Sequence, residues 1–309
     1  MAAAPLLIAD VPWLLYRAFF SLPKSIAGAD GQPVNALLGT VNALLGVLDT
    51  CPARAVVVCF GAEQATYRVR MYPPYHAHRE PMPAELATQW TQAPGLLESL
   101  GWTVCDAGEL EADDAMFSQA CAEAEAGGEA LLLTGDRDLF QVVDERVAIV
   151  ELAKGRVAGK IGPAQVYERY GIEPALVPDF IALRGDPSDG LPGAPGIGAK
   201  TAAELLRTHG SLEATLLAAG AEGASSESAG ENTTRADDVM RPRIAATLRE
   251  HDELLRTFKQ IATLVPIGDI GRPPDRATDF AAGALKAHEL GMKRLATRLE
   301  QMTAPERQT

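Results

Sequence analysis

The chain has 309 residues, 47% of them apolar, with 41 acidic against 28 basic residues and a net charge of −13. That length suits about two domains with full cores, and the acidic balance excludes a protein that coats nucleic acid by bulk charge. No apolar run reaches the ~18 residues of a bilayer span, the start MAAAPLLIADVPW lacks a basic n-region, and four cysteines without C-x-x-C spacing fit neither a disulfide framework nor a zinc site, so a reducing cytoplasm and no membrane partner are expected.

In chain order, short apolar runs occupy 6–10 (LLIAD), 55–60 (AVVVCF), 102–105 (WTVC), 130–134 (ALLLT) and 147–151 (VAIVE). Continuous apolar runs of this length read as strands buried on both faces. Helical spacing of apolar residues falls between them, over 34–48, 82–100 and 113–126. The alternation predicts an α/β domain with an open, mainly parallel sheet flanked by helices. Such sheets gather ligands beyond the carboxyl ends of their strands. Asp10 and Asp136 fall at such ends, with Asp138 and Glu111 close behind.

After residue 160 the pattern is helical and no strand is expected. Residues 185–201, GDPSDGLPGAPGIGAKT, are dense in Gly and Pro and lead into a helix. The small polar stretch 220–238 reads as a disordered loop. Helical periodicity returns at 241–264, and 284–302 reads as one amphipathic helix. There are no internal repeats.

Acids cluster in four segments: Asp10; Glu111, Asp113 and Asp114 in EADD; Asp136 and Asp138 in TGDRD; Asp186 and Asp189 in GDPSD. Any one of these alone reads as a solvated face or a helix start, where the dipole favours acids. Eight carboxylates converging beyond one sheet edge would repel strongly, and hard divalent cations relieve that repulsion. Two such ions ~4 Å apart can activate water and stabilise both oxygens of a phosphodiester displacement. The stretch 64–79, QATYRVRMYPPYHAHR, holds three Arg, two His and three Tyr and no acid, a mixture suited to a single nucleic-acid strand. Arg68, Arg70 and Tyr75 are its expected contacts. Gly193, Gly196 and Gly198, followed by Lys200 and Thr201, offer close backbone approach and a helix start to a phosphate. His209, His251 and His288 read as surface residues, Trp90 and Trp102 as core, and Trp13 as packing beneath the first helix or bracing the site.

The stretches LLIADVPWLLYRAFFSLP, TYRVRMYPPYHAHREPMPAEL, LEADD, TGDRDLFQVV and RGDPSDGLPGAPGIGAKTAAELL together resemble the 5′-nuclease superfamily, in particular the bacterial 5′–3′ exonucleases related to the N-terminal domain of DNA polymerase I and to phage and eukaryotic flap endonucleases. The resemblance covers roughly residues 6–265. It implies a PIN-like domain over 1–172 with a helical arch at about 68–100, and a helical region over 173–309 with a helix–hairpin–helix at about 185–210. It implies first-site metal ligands at Asp10, Glu111, Asp113 and Asp114, a middle pair at Asp136 and Asp138, and second-site ligands at Asp186 and Asp189. It also implies catalytic roles for Arg17, Arg79 and the arch residue His76, two or more Mg²⁺ or Mn²⁺ ions, and K⁺ at the hairpin. The expected substrate is DNA with a 5′ end, flap or nick, including RNA-primed strands, and the expected actor is a monomer.

This sequence departs from the family's pattern at three positions. Gly61 stands where an Asp ligand is usual, His76 where Lys is usual, and Gly190 where Asn is usual. Gly61 is expected to weaken or remodel the first metal site. The rival readings are a catalytically weakened structure-specific DNA binder and a PIN-type RNase. A D-x-D phosphatase is disfavoured because Asp10 is followed by Val11 and Pro12.

Overall fold

The computed structural model describes residues 4–153, 155–224, 240–268 and 270–303. Its centre is a six-stranded sheet in the order β3-β2-β1-β4-β5-β6. The strands are β1 Leu6–Asp10, β2 Ala55–Phe60, β3 Thr103–Asp106, β4 Ala130–Leu133, β5 Val147–Ala153 and β6 Arg156–Ile161. The first five run parallel, and β6 is antiparallel to β5. The apolar runs formed strands because each is buried on both faces. β6 was not expected: RVAGKI is half exposed along its length, as an edge strand is, so it shows no continuous apolar run.

Successive residues of β1 serve opposite faces. Leu6 and Ile8 join a core with Val57, Cys59 and Leu132, whereas Leu7 and Ala9 join another with Val56, Val58 and Leu133. The second face is covered by α1 Val11–Ser21, α2 Asn35–Thr50 and α4 Ala84–Ser99. Between the last two lies the short α3 Thr66–Met71. The first face is covered by α5 Ala112–Glu125, then by α6 Pro163–Tyr170, α7 Val177–Arg184 and α8 Ala199–His209. α9 Leu212–Ala224, α10 Pro242–Glu250 and α11 Asp252–Ala262 extend that same core without a break. Of the expected disordered loop, residues 225–238 lie outside the described residues, and 220–224 are the end of α9.

Two expectations change here. The span expected to arch over the site is shorter, because α4 buries Leu86, Ala93, Leu96 and Leu97 in the second core. The C-terminal region is also not wholly a unit apart. The single helix expected over 284–302 is a pair, α12 Phe280–Glu289 and α13 Lys293–Thr303, turned at Gly291. Its Ala284, Ala287, Leu295 and Leu299 close the second core beside α2 and α4. Arg298 donates to Asn42 at 2.8 Å and the Trp102 indole to Thr278 at 3.0 Å.

Candidate active site

Strand order reverses between β1 and β4, and their carboxyl ends flank the crevice where open α/β sheets bind ligands. β1 runs directly into α1, and Asp10 is the hinge between them. Its Oδ1 accepts from the Trp13 amide at 2.9 Å, which caps α1. Its Oδ2 accepts from the Thr134 hydroxyl at 2.8 Å. That hydroxyl accepts from the Asp136 amide at 2.9 Å, and Asp136 Oδ1 accepts from the Asp138 amide at 3.0 Å. One hydrogen-bonded chain therefore ties the carboxylates of Asp10 and Asp136 to the backbone of Asp138 across the switch point. Asp113 joins them from the first turn of α5. Asp186 and Asp189 follow α7, where Asp186 accepts from the Ser188 amide at 2.8 Å.

Asp10, Asp113, Asp136, Asp138 and Asp189 line a recess of about 750 Å³, with Glu111 at its edge. Burial lifts the Asp10 carboxyl to about 6, against the pull of its Trp13 and Thr134 hydrogen bonds. Burial, with repulsion from Asp189, Asp10 and Asp186, lifts Asp136 to about 7. Burial and neighbouring acids raise Asp113 and Asp138 well above the usual carboxylate range. Among the described residues, none of Asp10, Asp113, Asp136, Asp138 and Asp186 pairs with a cation; the acids of the cluster that do are Glu111, Asp114 and Asp189. The donors are hard carboxylate oxygens carrying uncompensated charge, which fits divalent ions. The side chains ring the recess without closing: among the described residues, no three of them gather on a coordinating point.

Several expected roles need correction. Arg68 is 2% exposed and is not a DNA contact. Its guanidinium donates to Glu111 at 2.8 Å and to both Asp114 oxygens at 2.9 and 2.8 Å, and its Nε donates to the Ile261 carbonyl at 3.0 Å. Asp114 is fully buried and also accepts from the amides of Val265 (2.9 Å) and Glu111 (3.2 Å). Saturated in this way, it cannot turn to a metal in the recess. Tyr75 is buried too, and its hydroxyl donates to Glu111 at 3.0 Å rather than presenting its ring to a base. Glu111 also accepts from the Ala65 amide at 2.7 Å, so it faces the recess with both oxygens engaged. Of the four first-site acids, Asp10 and Asp113 are the two without a cation partner, Asp10 accepting one bond on each oxygen, and Asp136 of the middle pair lies beside them on the recess.

The missing carboxylate at Gly61 has left no gap. A Cβ there would lie 2.5–2.7 Å from backbone atoms of Leu110, Glu111 and Ala112, so the loop entering α5 fills that space. His76 is buried and stacked on Tyr75 at 3.8 Å, with Nε2 3.0 Å from Asp189 Oδ1. Arg79 donates to the same oxygen at 3.2 Å. Both therefore clamp the segment after α3 onto Asp189. Arg70 is exposed on the outer side of α3. Arg17 is half-buried over the Trp13 ring at 5.6 Å and does not line the recess.

In the hairpin, Gly196 and Gly198 have open space, Lys200 is exposed and Thr201 is half-buried where α8 begins. Gly193 is different: a Cβ there would meet the Gly185 amide nitrogen at 2.3 Å, so it closes the base of the hairpin and is not a DNA contact. The sequence reading missed an aromatic wall of the recess made by Tyr16, Phe20 and Trp90 beside Trp13. Phe20 is 70% exposed and stacks on Tyr16 at 6.3 Å. The signal was present in the i, i+4 spacing of Tyr16 and Phe20 on the helix that starts at Asp10. Trp90 is not simply core, since it borders this wall, 6.4 Å from Tyr16.

Residues 5–171 match the N-terminal, resolvase-like domain of 5′-3′ exonucleases, and residues 172–276 match their C-terminal SAM fold. A 5′-3′ exonuclease of Mycobacterium tuberculosis is 34% identical over 94% of this chain and 93% of its own length. DNA polymerase I of Thermus thermophilus is 40% identical over 67% of this chain, which is only 24% of the polymerase. Among solved structures, the T5 D15 protein co-crystallised with metal ions superposes with a TM-score of 0.62, covering 97% of this chain and 99% of that one at 15% identity. The catalytic core of Rad2 in complex with DNA substrate gives 0.62, covering 98% and 93% at 12% identity. At those identities the two structures establish the fold alone. Two domain models matched in order, together with a relative similar along nearly its whole length, identify this chain as a member of the 5′-3′ exonuclease family.

Proposed function

We propose that the chain hydrolyses DNA phosphodiesters at 5′ ends, nicks and flaps, RNA-primed strands included, as a 5′-3′ exonuclease and 5′-flap endonuclease of replication and repair. The observation that carries this reading is the set of unpaired acids from three elements, Asp10, Asp113, Asp136 and Asp138, on one recess at the switch point of the sheet. Asp10, Asp113 and Asp136 would hold one Mg²⁺ or Mn²⁺ ion, and Asp138, Asp186 and Asp189 a second. Such ions supply Lewis acidity and an activated water for in-line displacement.

The chain's own residues then orient the strand. Phe20 and Tyr16 offer a stacking surface to an unpaired base. Arg79 draws the phosphate toward Asp189 and its neighbours, and Arg17 and Arg70 add charge on the approach. The open backbone of Gly196 and Gly198, the free amides of α8 and Lys200 suit a duplex phosphate, with K⁺ bridging the hairpin carbonyls. In this reading the chain acts as a monomer in a reducing cytoplasm, where its four cysteines would stay thiols.

A weakened nuclease that chiefly binds DNA draws support from one observation: Glu111 is already engaged by Ala65, Arg68 and Tyr75, while Gly61 offers no carboxylate in its place. The test is a labelled 5′-flap duplex titrated with Mg²⁺ and Mn²⁺, alongside a matched RNA flap. Wild type should release products with 5′ phosphates, and Asp136→Asn should lose more than the roughly 10–100-fold typical of outer-shell metal partners. Tight flap binding without cleavage at millimolar Mn²⁺ would support the binder, and cleavage of the RNA flap alone the RNase.

A further inference from the structure

Between α3 and α4 the chain runs outside any helix or strand, as a strap along one wall of the recess, to which it contributes Tyr75, His76, Ala77, Arg79 and Pro81. From Pro73 to Pro81 only Tyr75 and His76 are buried, so these two side chains hold the strap down. Tyr75 reaches Glu111 on the first ion's side. His76 is bound to Asp189 twice: its amide donates to the Asp189 carbonyl at 3.0 Å, and its Nε2 lies 3.0 Å from Oδ1. An ionised carboxylate only accepts, so Nε2 carries the proton of that bond. Arg79 brings a further donor to the same oxygen at 3.2 Å.

The strap is held under strain. His76 is the one described residue other than glycine with a positive φ, 55°, a conformation that persists where the surroundings impose it. Its Nδ1 is buried with no partner among the described residues, which also disfavours the closed position. Beneath it, Gly190 has φ +76°, and a Cβ there would lie 2.9 Å from the Pro74 carbonyl oxygen and 3.4 Å from His78 Nδ1. Two of the three departures from the family's pattern therefore meet at one contact: His76 makes the bond and Gly190 leaves room for it.

Asp189 thus has two claimants. A divalent ion on its carboxylate takes the place of a hydrogen bond at that oxygen and repels the Arg79 guanidinium. Among the described residues, Asp10, Asp113 and Asp136 accept no hydrogen bond from the strap. We propose that residues 73–81 are a latch over the second ion's place: an ion that takes Asp189 displaces His76 and Arg79 and frees the strap, whereas an ion on Asp10, Asp113 and Asp136 leaves it shut. Loading is therefore ordered, and the strap opens to a DNA strand only over a fully loaded centre. His76 is a positioning residue that acts through Asp189 without touching the phosphate. This rests on the metal reading above and adds to it the coupling between ion and strap. By linkage, freeing the strap changes ion affinity by the same factor as ion binding changes the strap.

The test needs no DNA. Mn²⁺ is titrated into the whole chain, bound ions are counted by electron paramagnetic resonance, and amide exchange of residues 72–82 is followed by mass spectrometry. In wild type the first ion should leave that exchange unchanged, and the second should speed it about tenfold. His76→Ala and Gly190→Asn should exchange fast without metal, Asn being tolerated at positive φ. Both should take up the second ion at about tenfold lower Mn²⁺. Asp186→Asn, at a residue that bonds to no part of the strap, should keep it shut at Mn²⁺ concentrations that open wild type. Melting temperatures check each fold.

A second ion that binds wild type while strap exchange stays the same or slows would overturn the latch and leave the metal reading standing. So would a second-ion midpoint unmoved in both His76→Ala and Gly190→Asn. A single bound ion, with the strap shut throughout, refutes the second ion and the latch together but keeps the first ion. No bound Mn²⁺ at all refutes the metal reading, and the latch with it.

Discussion

Arg68 and Gly61 determine how the first acids of the site are held. Burial alone would lower the Arg68 pKa, but Glu111 and Asp114 outweigh it and raise it, so the guanidinium stays charged and binds both acids in fixed geometry. Arg68→Ala would leave Asp114, fully buried, without its cation, at a cost of about 3–5 kcal/mol. Urea unfolding should record that loss, and single-strand binding should be unchanged at temperatures where the variant is folded. Gly61→Asp should not restore a metal ligand. Backbone atoms at 2.5–2.7 Å from the new Cβ demand a shift of the loop, at about 1–3 kcal/mol for overpacking. Stability and the Mn²⁺ concentration for half-maximal cleavage measure this together; a lower Mn²⁺ requirement at unchanged stability would show that the loop yields. The strand-end acids were legible in the sequence because each apolar run stops on them. The division between Arg68 and Arg70 was not. Two residues apart on a helix they point different ways, and the inward side was decided by Ile261, Glu111 and Asp114, far away in the chain.

At the scale of elements, the two-sided strands and their covering helices were readable because burial on both faces leaves continuous apolar runs. β6 escaped because one of its faces is wet. α4 was misplaced for a different reason: an amphipathic helix shows that it has a buried side but not what buries it. The same limit hid the turn at Gly291 and the return of α12 and α13 to the sheet. Leu299, wholly buried in that layer, tests how firmly the pair belongs to the body. Leu299→Ala should cost about 2–5 kcal/mol and keep a single thermal transition. Two transitions, with the helix pair leaving first, would mean that it is a loosely attached accessory.

For the whole molecule, the crowded acids couple stability to pH and to cations. Asp10 and Asp136 titrate at about 6 and about 7 in the fold, against 3.8 for an unperturbed carboxyl. The folded state therefore holds protons that the unfolded chain has released. The stability from these groups is full at low pH and is lost as pH rises through 6–7. Asp113 and Asp138 act in the same direction. With metal chelated, other things equal, these groups lower the melting temperature between pH 5.5 and 8, and Asp136→Asn should flatten that trend. Mn²⁺ binds the ionised acids and should raise the midpoint more at pH 8 than at pH 5.5. An equal Mn²⁺ shift at both values would contradict this electrostatic account.

The sheet also acquires its second helical cover late. Residues 280–303 supply Ala284, Leu295 and Leu299 to a helical layer whose other helices, α1, α2 and α4, lie within the first 99 residues. A ribosome delivers those partners nearly two hundred residues apart, so the growing polypeptide stands with one flank greasy and open until the final helices leave the exit tunnel. Ribosome stalling before residue 280 should therefore strand an aggregation-prone body with its acidic recess already translated.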